Sequence, residues 1–327
     1  MENQVVDRLT NENLVAVDSL KELTRGYILN CRCEGKSPKT VKFYHDNLNH
    51  FLWYAKQQGY PENPNRISPN HIRAFLTYVG SEPVRWGATS TTACRPTSQI
   101  TVRHYYRVLF TFFKWLKEEE IISDNPVAHL KTPKIEQKVI QALSRKDVEA
   151  LLNKCPAKTM LGVRNRAIIL MLLDSGMRVS ELSNLRLTDL DRDTGAIMIK
   201  HGKGNKQRIV RIGSTSQKAL WRYLTLYRRG DSDRLFLTKT SKPLQAEAIE
   251  LIVRRLGKKA NLSGIHIHRL RHTFAINYLR NGGDIFSLKY LLGHSSLTMV
   301  QNYLASLDAE DAAKCHSRVS PVDRLFD

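Results

Sequence analysis

The last third of the chain carries side chains of the types that bind and transfer phosphate groups. His268 and Arg271 are three residues apart in the run HIHRLRHTF, so they share one face of a helix. His294 lies in LLGHSS, and Tyr303 lies in NYL. A guanidinium gives paired hydrogen bonds to phosphate oxygens, an imidazole moves protons near neutral pH, and a tyrosine hydroxyl can act as a nucleophile. Together these residue types predict a phosphate-handling site.

Three helical segments must position these side chains. The first is predicted from about His268 to Asn281 and ends at Gly282, because glycine readily takes the left-handed conformation that closes a helix. The second covers about residues 285–292 and ends at Gly293. The third opens with Ser295–Ser296, which are suitable N-cap residues, and it has apolar residues at helical spacing.

A further candidate, Arg178, lies at the junction between two predicted helices. The apolar run AIILMLL at residues 167–173 is far too short to cross a membrane and predicts a buried core helix. Gly176 closes this helix, and a short helix over about residues 180–185 follows Arg178.

A β-hairpin is predicted between residues 197 and 212. Ile197–Ile199 and Ile209–Ile212 are apolar, partly alternating runs, and the glycines and asparagine of HGKGNKQ between them supply the turn. Lys203 lies at the tip of this hairpin. Lys206, three residues later, is the second candidate for a functional lysine there.

The apolar spacing in the N-terminal half predicts a set of amphipathic helices. A long polar loop, Ser81–Ser98, interrupts them, and its length suggests a functional or disordered insertion. Aromatic residues at helical spacing in the last helix predict core packing rather than base stacking. A polar, proline-punctuated stretch then predicts a linker at residues 127–142, between domains at 14–126 and 143–318. The predicted helices of this half cover about residues 14–33, 38–58, 69–79 and 99–119.

Composition indicates a globular protein with a polyanionic partner. Hydrophobic residues make up 42% of the chain and charged residues 25%, which is ordinary for a soluble domain. The 51 Lys and Arg residues outnumber the 31 Asp and Glu residues, for a net charge of +20, which favours a nucleic-acid partner. The five cysteines are an odd number without framework spacing, so we expect reduced thiols in a cytosol. The N-terminus lacks a signal-peptide pattern.

The motifs, taken together, resemble a known family. GMRVSEL, HGKGNK, HRLRHTF, LLGHSS and NYL look like the ordered boxes of the tyrosine recombinases, the phage-integrase and Xer-like enzymes. The resemblance extends from about Leu143 to Ala313, and the N-terminal half is more loosely similar to the family's core-binding domain. It implies a mainly α, two-domain fold, with a SAM-like helical N-terminal domain and an α+β catalytic domain that contains a small antiparallel sheet.

The resemblance also implies a role for each matching residue. Tyr303 would attack the scissile phosphodiester and form a 3′-phosphotyrosyl link, leaving a free 5′-hydroxyl. Arg178 and Arg271 would clamp the non-bridging oxygens as negative charge develops on them.

The remaining roles concern protons and the phosphate pocket. Lys203 would protonate the leaving 5′-oxygen, and His268 would serve as acid and base toward the tyrosine hydroxyl. His294 would hydrogen-bond the phosphate. The covalent link conserves the phosphodiester energy, so neither ATP nor a metal cofactor is expected.

Partners follow from the same resemblance. The two domains would form a clamp around double-stranded DNA, and strand exchange between paired core sites would need a homotetramer. The tail at about residues 305–315 would dock on a neighbouring subunit. We expect a cytoplasmic, nucleoid-associated enzyme with no membrane partner. The insertion at 81–98, the extension before Leu14 and the C-terminal tail differ from compact dimer resolvases. They favour integration and excision of a mobile element over Xer-like chromosome or plasmid dimer resolution.

Other interpretations stay open at this point. The protein could be a non-catalytic DNA-binding regulator, although all six expected residues are present. A type IB topoisomerase shares the phosphotyrosine chemistry. A zinc site built from the cluster of histidines is disfavoured because no acidic or cysteine ligand accompanies them. That cluster consists of His266, His268, His272 and His294.

Overall fold

The computed structural model describes residues 19–83, 85–86, 97–134, 141–200, 207–294 and 296–304. The chain divides into two compact units, Met1–Gln137 and Lys138–Asp327. Within the described residues, no helix is both long and apolar enough to span a membrane.

Four α-helices among the described residues build the first unit, and a serine caps the start of each of the four. The side-chain oxygen of the serine accepts a hydrogen bond from a backbone amide of the first turn, as an N-cap should. Two of these helices also have a proline in the first turn, where its missing N–H costs nothing. The helices are α1 (Leu20–Cys33), α2 (Pro38–Gln57), α3 (Pro69–Ser81) and α4 (Gln99–Glu118), capped by Ser19, Ser37, Ser68 and Ser98.

The core of this unit is rich in aromatic residues. Phe51, Phe75 and Phe113 pack edge to face at centroid separations of 5.2 and 6.3 Å. The aromatic stripe of α4 is buried, which confirms its predicted core role. Val127 and Leu130, at the start of the predicted linker, are buried in the same core.

The second unit combines helices with one small sheet. Strands β1 (Ala196–Ile199) and β2 (Arg208–Arg211) pair antiparallel, with Ala196 opposite Arg211 and Ile199 opposite Arg208. The predicted fold class, mainly α with a small antiparallel sheet, is confirmed. The helices are α5 (Arg145–Asn153), α6 (Met160–Ser175), α7 (Val179–Asn184), α8 (Ser214–Leu226), α9 (Ala246–Lys259), α10 (Ile267–Arg280), α11 (Ile285–Leu292) and α12 (Thr298–Leu304).

Helix α6 is the central element of this unit, and it packs against α8 and α10. Five of the seven residues of its apolar run are buried, and Leu170 and Leu173 are partly buried, which confirms the predicted core helix. Gly176 closes α6 in the left-handed conformation at φ +58°, and Gly293 closes α11 at φ +63°. Both ends lie beside the candidate site, so the two glycines set the path of the chain there.

Some boundaries differ from the sequence prediction. The apolar spacing of the sequence predicts a helix from about Leu220 to Arg229. Helix α8 instead begins at Ser214, six residues earlier, because polar residues of its first turn are still helical. Helix α12 begins at Thr298, and the carbonyl of Leu297 accepts its first bond, so Ser296 precedes the N-cap position. Residues 14–18, Ser295 and most of the 81–98 insertion lie outside the described residues.

We predict that Gly176→Ala destabilises the protein more than Gly282→Ala does. Both glycines have positive φ, so alanine adds about 1–2 kcal/mol of backbone strain at either position. At Gly176 the new Cβ would also lie 2.2 Å from Cδ1 of Phe274, whereas at Gly282 it meets nothing within 4 Å. Overpacking adds about 1–3 kcal/mol. Urea unfolding of both variants measures the difference, and equal losses would contradict it.

Candidate active site

Arg271 connects the ends of two helices at the centre of the site. Its guanidinium is almost fully buried, with the residue only 6% exposed. Nη1 donates to the carbonyl oxygen of Gly176 at 2.7 Å, and Nη2 donates to the carbonyl oxygen of Leu292 at 2.7 Å. The second of these acceptors belongs to the last turn of α11, where helix carbonyls lack partners within the helix. Arg271 is therefore fixed in place by backbone atoms.

Arg178 lies beside it and shares a buried carboxylate with another arginine. Oε1 of Glu181 accepts from Nη1 of Arg178 at 2.9 Å and from Nη1 of Arg208 at 2.8 Å. Oε2 accepts from the backbone amide of Arg178 at 2.7 Å and from Nη2 of Arg208 at 2.7 Å. The Glu181 carboxylate thus has four donors. The Arg178 side chain keeps 24% exposure, whereas that of Arg208 keeps 3%.

Three consecutive carbonyls at the end of α11 each accept from a different guanidinium. Besides the bond from Arg271, Nε of Arg208 donates to Leu291 at 2.7 Å, and Nη2 of Arg178 donates to Gly293 at 3.0 Å. The C-terminus of a helix carries partial negative charge, which favours cations there. The end of α11 therefore holds the three arginines in one cluster.

His294 and Tyr303 complete the arrangement. Nη2 of Arg271 lies 2.8 Å from Nε2 of His294. Because a guanidinium can only donate, Nε2 accepts, and the ring proton is assigned to Nδ1. The rings of His294 and Tyr303 are nearly parallel, with centroids 6.2 Å apart, and the ring of His272 lies 5.2 Å from that of Tyr303. The tyrosine is therefore adjacent to the arginine cluster.

Burial and neighbouring charges shift the pKa values of Arg271 and Glu181. Burial, reinforced by the neighbouring charge of Arg178, lowers the pKa of Arg271 to about 10, and Tyr303 and Glu181 oppose this shift. Arg271 is still protonated at neutral pH. Burial raises the pKa of Glu181, but the hydrogen bonds from Arg208 and from the Arg178 amide outweigh it, so its pKa lies below the ordinary value. Glu181 is therefore ionised at neutral pH.

The structure brings together four of the six candidate residues: Arg178, Arg271, His294 and Tyr303. His268 is exposed on the first turn of α10, where its ring is 6.3 Å from that of His266. His266 itself is the N-cap of that helix. Lys203 and Lys206 lie outside the described residues.

Sequence reasoning did not single out Glu181 or Arg208, and it considered His272 only as a member of the disfavoured zinc cluster. Glu181 is three residues after Arg178, so its place on the same helical face was available from GMRVSEL. Arg208 shares the inward face of its strand with Val210, and a charge at an inward position indicates a buried partner. No such pattern marks His272. Within the described ranges, no group of three or more His, Cys, Asp or Glu side chains could hold a metal ion.

Comparison with known families gives matches over both units. The profile of the Phage integrase family matches residues 141–310. The profile described as Phage integrase, N-terminal SAM-like domain, matches residues 23–123.

Similar proteins and structures agree with these matches. Tyrosine recombinase XerC of Oceanobacillus iheyensis is 32% identical over 275 residues, covering 82% of this chain and 85% of that protein. Tyrosine recombinase XerD of Listeria innocua is 30% identical, covering 83% and 89%. A Tn1549 transposon integrase solved with circular intermediate DNA has a TM-score of 0.72 at 18% identity, covering 92% of this chain and 100% of that one. A lambda integrase dimer bound to a core site has a TM-score of 0.69 at 18% identity, covering 89% and 97%.

We predict a pH-dependent loss of stability for Glu181→Gln. Removing one partner of a buried ion pair costs about 3–5 kcal/mol at pH 7. Because the folded pKa of Glu181 is lowered, its contribution is fully present above its ordinary pKa of 4.5 and is lost as the pH falls below that value. The gap in unfolding free energy between wild type and variant should therefore narrow on acidification.

Urea unfolding from pH 8 to pH 3 measures this gap. Glu149→Gln is the matched control, because Glu149 forms an exposed pair with Arg145 and should cost less than about 1 kcal/mol. A gap that widens or stays constant down to pH 3 would contradict the assignment.

Proposed function

Because the chain belongs to the phage integrase family of tyrosine recombinases, we propose that it cuts and rejoins DNA at specific sites through Tyr303. The observation that carries this proposal is the gathering of Tyr303, Arg178 and Arg271 around the end of α11. The two arginines supply fixed positive charge where a phosphate would develop negative charge. Preorganised charge of this kind makes the greatest single contribution to rate enhancement in many enzymes.

The proposed reaction exchanges one phosphate ester bond for another. The hydroxyl oxygen of Tyr303 attacks the phosphorus, and the bond from phosphorus to the 5′-oxygen breaks, giving a 3′-phosphotyrosyl ester and a 5′-hydroxyl. The tyrosine proton passes to a base, for which His268 is the candidate, and Lys203 gives a proton to the leaving 5′-oxygen. The 5′-hydroxyl of another strand then reverses the step. His294 hydrogen-bonds the phosphate.

No metal or ATP enters this scheme. The phosphotyrosyl ester retains the energy of the phosphodiester that was broken, so religation needs no external source. The net positive cluster of Arg178, Glu181, Arg208 and Arg271 supplies the charge stabilisation that a divalent ion gives in other phosphoryl transfers.

The partner in this proposal is double-stranded DNA. The net charge of +20 favours contacts to the phosphate backbone, and affinity should fall steeply with salt. Structures with a similar fold were solved as complexes with DNA, including a dimer on a core site. Exchange between paired core sites would use a homotetramer linked by the tail after residue 304, in a cytoplasmic, nucleoid-associated enzyme.

The biological role has two candidates. Integration or excision of a mobile element is favoured by the insertion at 81–98. Xer-like dimer resolution is the alternative, and it is supported by relatives named XerC and XerD that are 30 to 34% identical.

We predict a covalent protein–DNA adduct that depends on Tyr303. A nicked suicide substrate that bears the cognate site loses its 5′-hydroxyl fragment after cleavage, so the phosphotyrosyl intermediate accumulates. Tyr303→Phe should bind this DNA with unchanged affinity and give no adduct, because only the nucleophilic oxygen is missing. Denaturing gel electrophoresis measures the adduct. Tyr290→Phe, at a 61% exposed tyrosine of α11, is the control and should react like wild type.

The same assay separates the other interpretations. If no adduct forms on a genuine core site, the result would support a non-catalytic DNA-binding regulator. An adduct on arbitrary DNA, together with relaxation of supercoils by a monomer, would indicate a topoisomerase.

A second prediction addresses the biological role. DNA fragments covalently trapped on the wild-type protein in the source cell can be sequenced. If the protein moves a mobile element, these fragments should map to two sites, one at each end of a discrete DNA segment. Recovery of a single chromosomal or plasmid site would instead favour dimer resolution.

A further inference from the structure

Arg208 belongs to the charged cluster of the candidate site, but its side chain is deeply buried and its own contribution to the reaction is still to be assigned. It is the first residue of β2, and its side chain is 3% exposed. It forms a two-bond pair with Glu181, at 2.8 and 2.7 Å, and a third bond to the carbonyl of Leu291 at 2.7 Å. These contacts direct its guanidinium toward protein acceptors.

The position of Glu181 raises an electrostatic problem for Arg178. A carboxylate hydrogen-bonded to a phosphate-binding arginine cancels much of its positive charge, and the effect is strong where water is excluded. Paired only with each other, Arg178 and Glu181 would have no net charge. An arginine neutralised in this way attracts a phosphate weakly.

We propose that Arg208 is a positioning residue that balances the charge of Glu181 so that Arg178 can act on the scissile phosphate. With Arg208 present, the group of two guanidiniums and one carboxylate carries a net charge of +1. Arg208 takes the parallel two-bond geometry with the carboxylate, and the side chain of Arg178 makes a single bond to it. This inference rests on the proposed strand-transfer function.

The same residue also fixes geometry. Its bond to Leu291 ties β2 to the end of α11, one and two residues before the carbonyls that hold Arg271 and Arg178. Charge and geometry can be separated by substitution, because a lysine retains the charge but not the two-bond pairing.

The experiment measures single-turnover cleavage of the nicked suicide substrate by the full chain. Arg208→Met should lower the cleavage rate by about 100-fold, the scale for losing one fixed electrostatic contact in a transition state. Arg208→Lys should remain within about tenfold of wild type. The double variant Arg208→Met/Glu181→Gln, in which both charges are removed, should be at least about tenfold faster than Arg208→Met alone.

If Arg208 only supported the structure, removing Glu181 as well would not restore the cleavage rate. Arg186→Met is the matched control, because Arg186 forms an exposed pair with Asp233, and it should cleave like wild type. Rates are compared on protein shown to be folded by circular dichroism, at saturating DNA. If Arg208→Met does not fold, the lysine variant still decides the question, because it should remain within about tenfold of wild type.

Two outcomes would overturn the inference. One is a double variant no faster than Arg208→Met, and the other is a lysine variant that loses about 100-fold or more. Failure of the proposed function looks different, because wild-type protein would then form no Tyr303-dependent adduct at all.

Discussion

The end of α11 is the constraint on which the site depends. Its last carbonyls are acceptors that the helix cannot satisfy, and three guanidiniums satisfy them from three different elements: the segment before α7, strand β2 and helix α10. Each bond satisfies a polar group of the helix end and also orients an arginine. The contacts that cap the helix are thus the same contacts that hold the arginines of the candidate site in place. His294 follows directly after the last of these carbonyls, so its backbone is fixed by the same bonds.

A buried ion cluster of this kind is not the most stable way to fill the space. Removing charges from water costs more than apolar packing would, and pairing recovers that cost only with good geometry. In this site the geometry is complete at Glu181, where all four hydrogen bonds are made to guanidinium or amide donors. Such a network gives a single arrangement of the arginines, which catalysis by fixed charge requires.

Much of the fold could be predicted because its signals are local. Serine caps, first-turn prolines and closing glycines lie next to the boundaries they set, and α11 begins and ends where its sequence indicates. The start of α8 was missed because its first turn is polar and lacks apolar periodicity. Arg178, Arg271, His294 and Tyr303 could be found from motif order. The partnership of Arg208 with Glu181 could not, because 27 residues separate them and only the fold brings them together.

Among the described residues, the cluster at the end of α11 keeps a net positive charge. Burial and the nearby charge of Arg178 both lower the pKa of Arg271, which means that the folded chain holds this cation at an energetic cost. One carboxylate, Glu181, faces three arginines. An anion that bonds to Arg178 and Arg271 would relieve this repulsion, and a phosphate with developing negative charge would relieve it more than a ground-state diester does. In the proposed reaction, this cost of folding would become preferential stabilisation of the transition state.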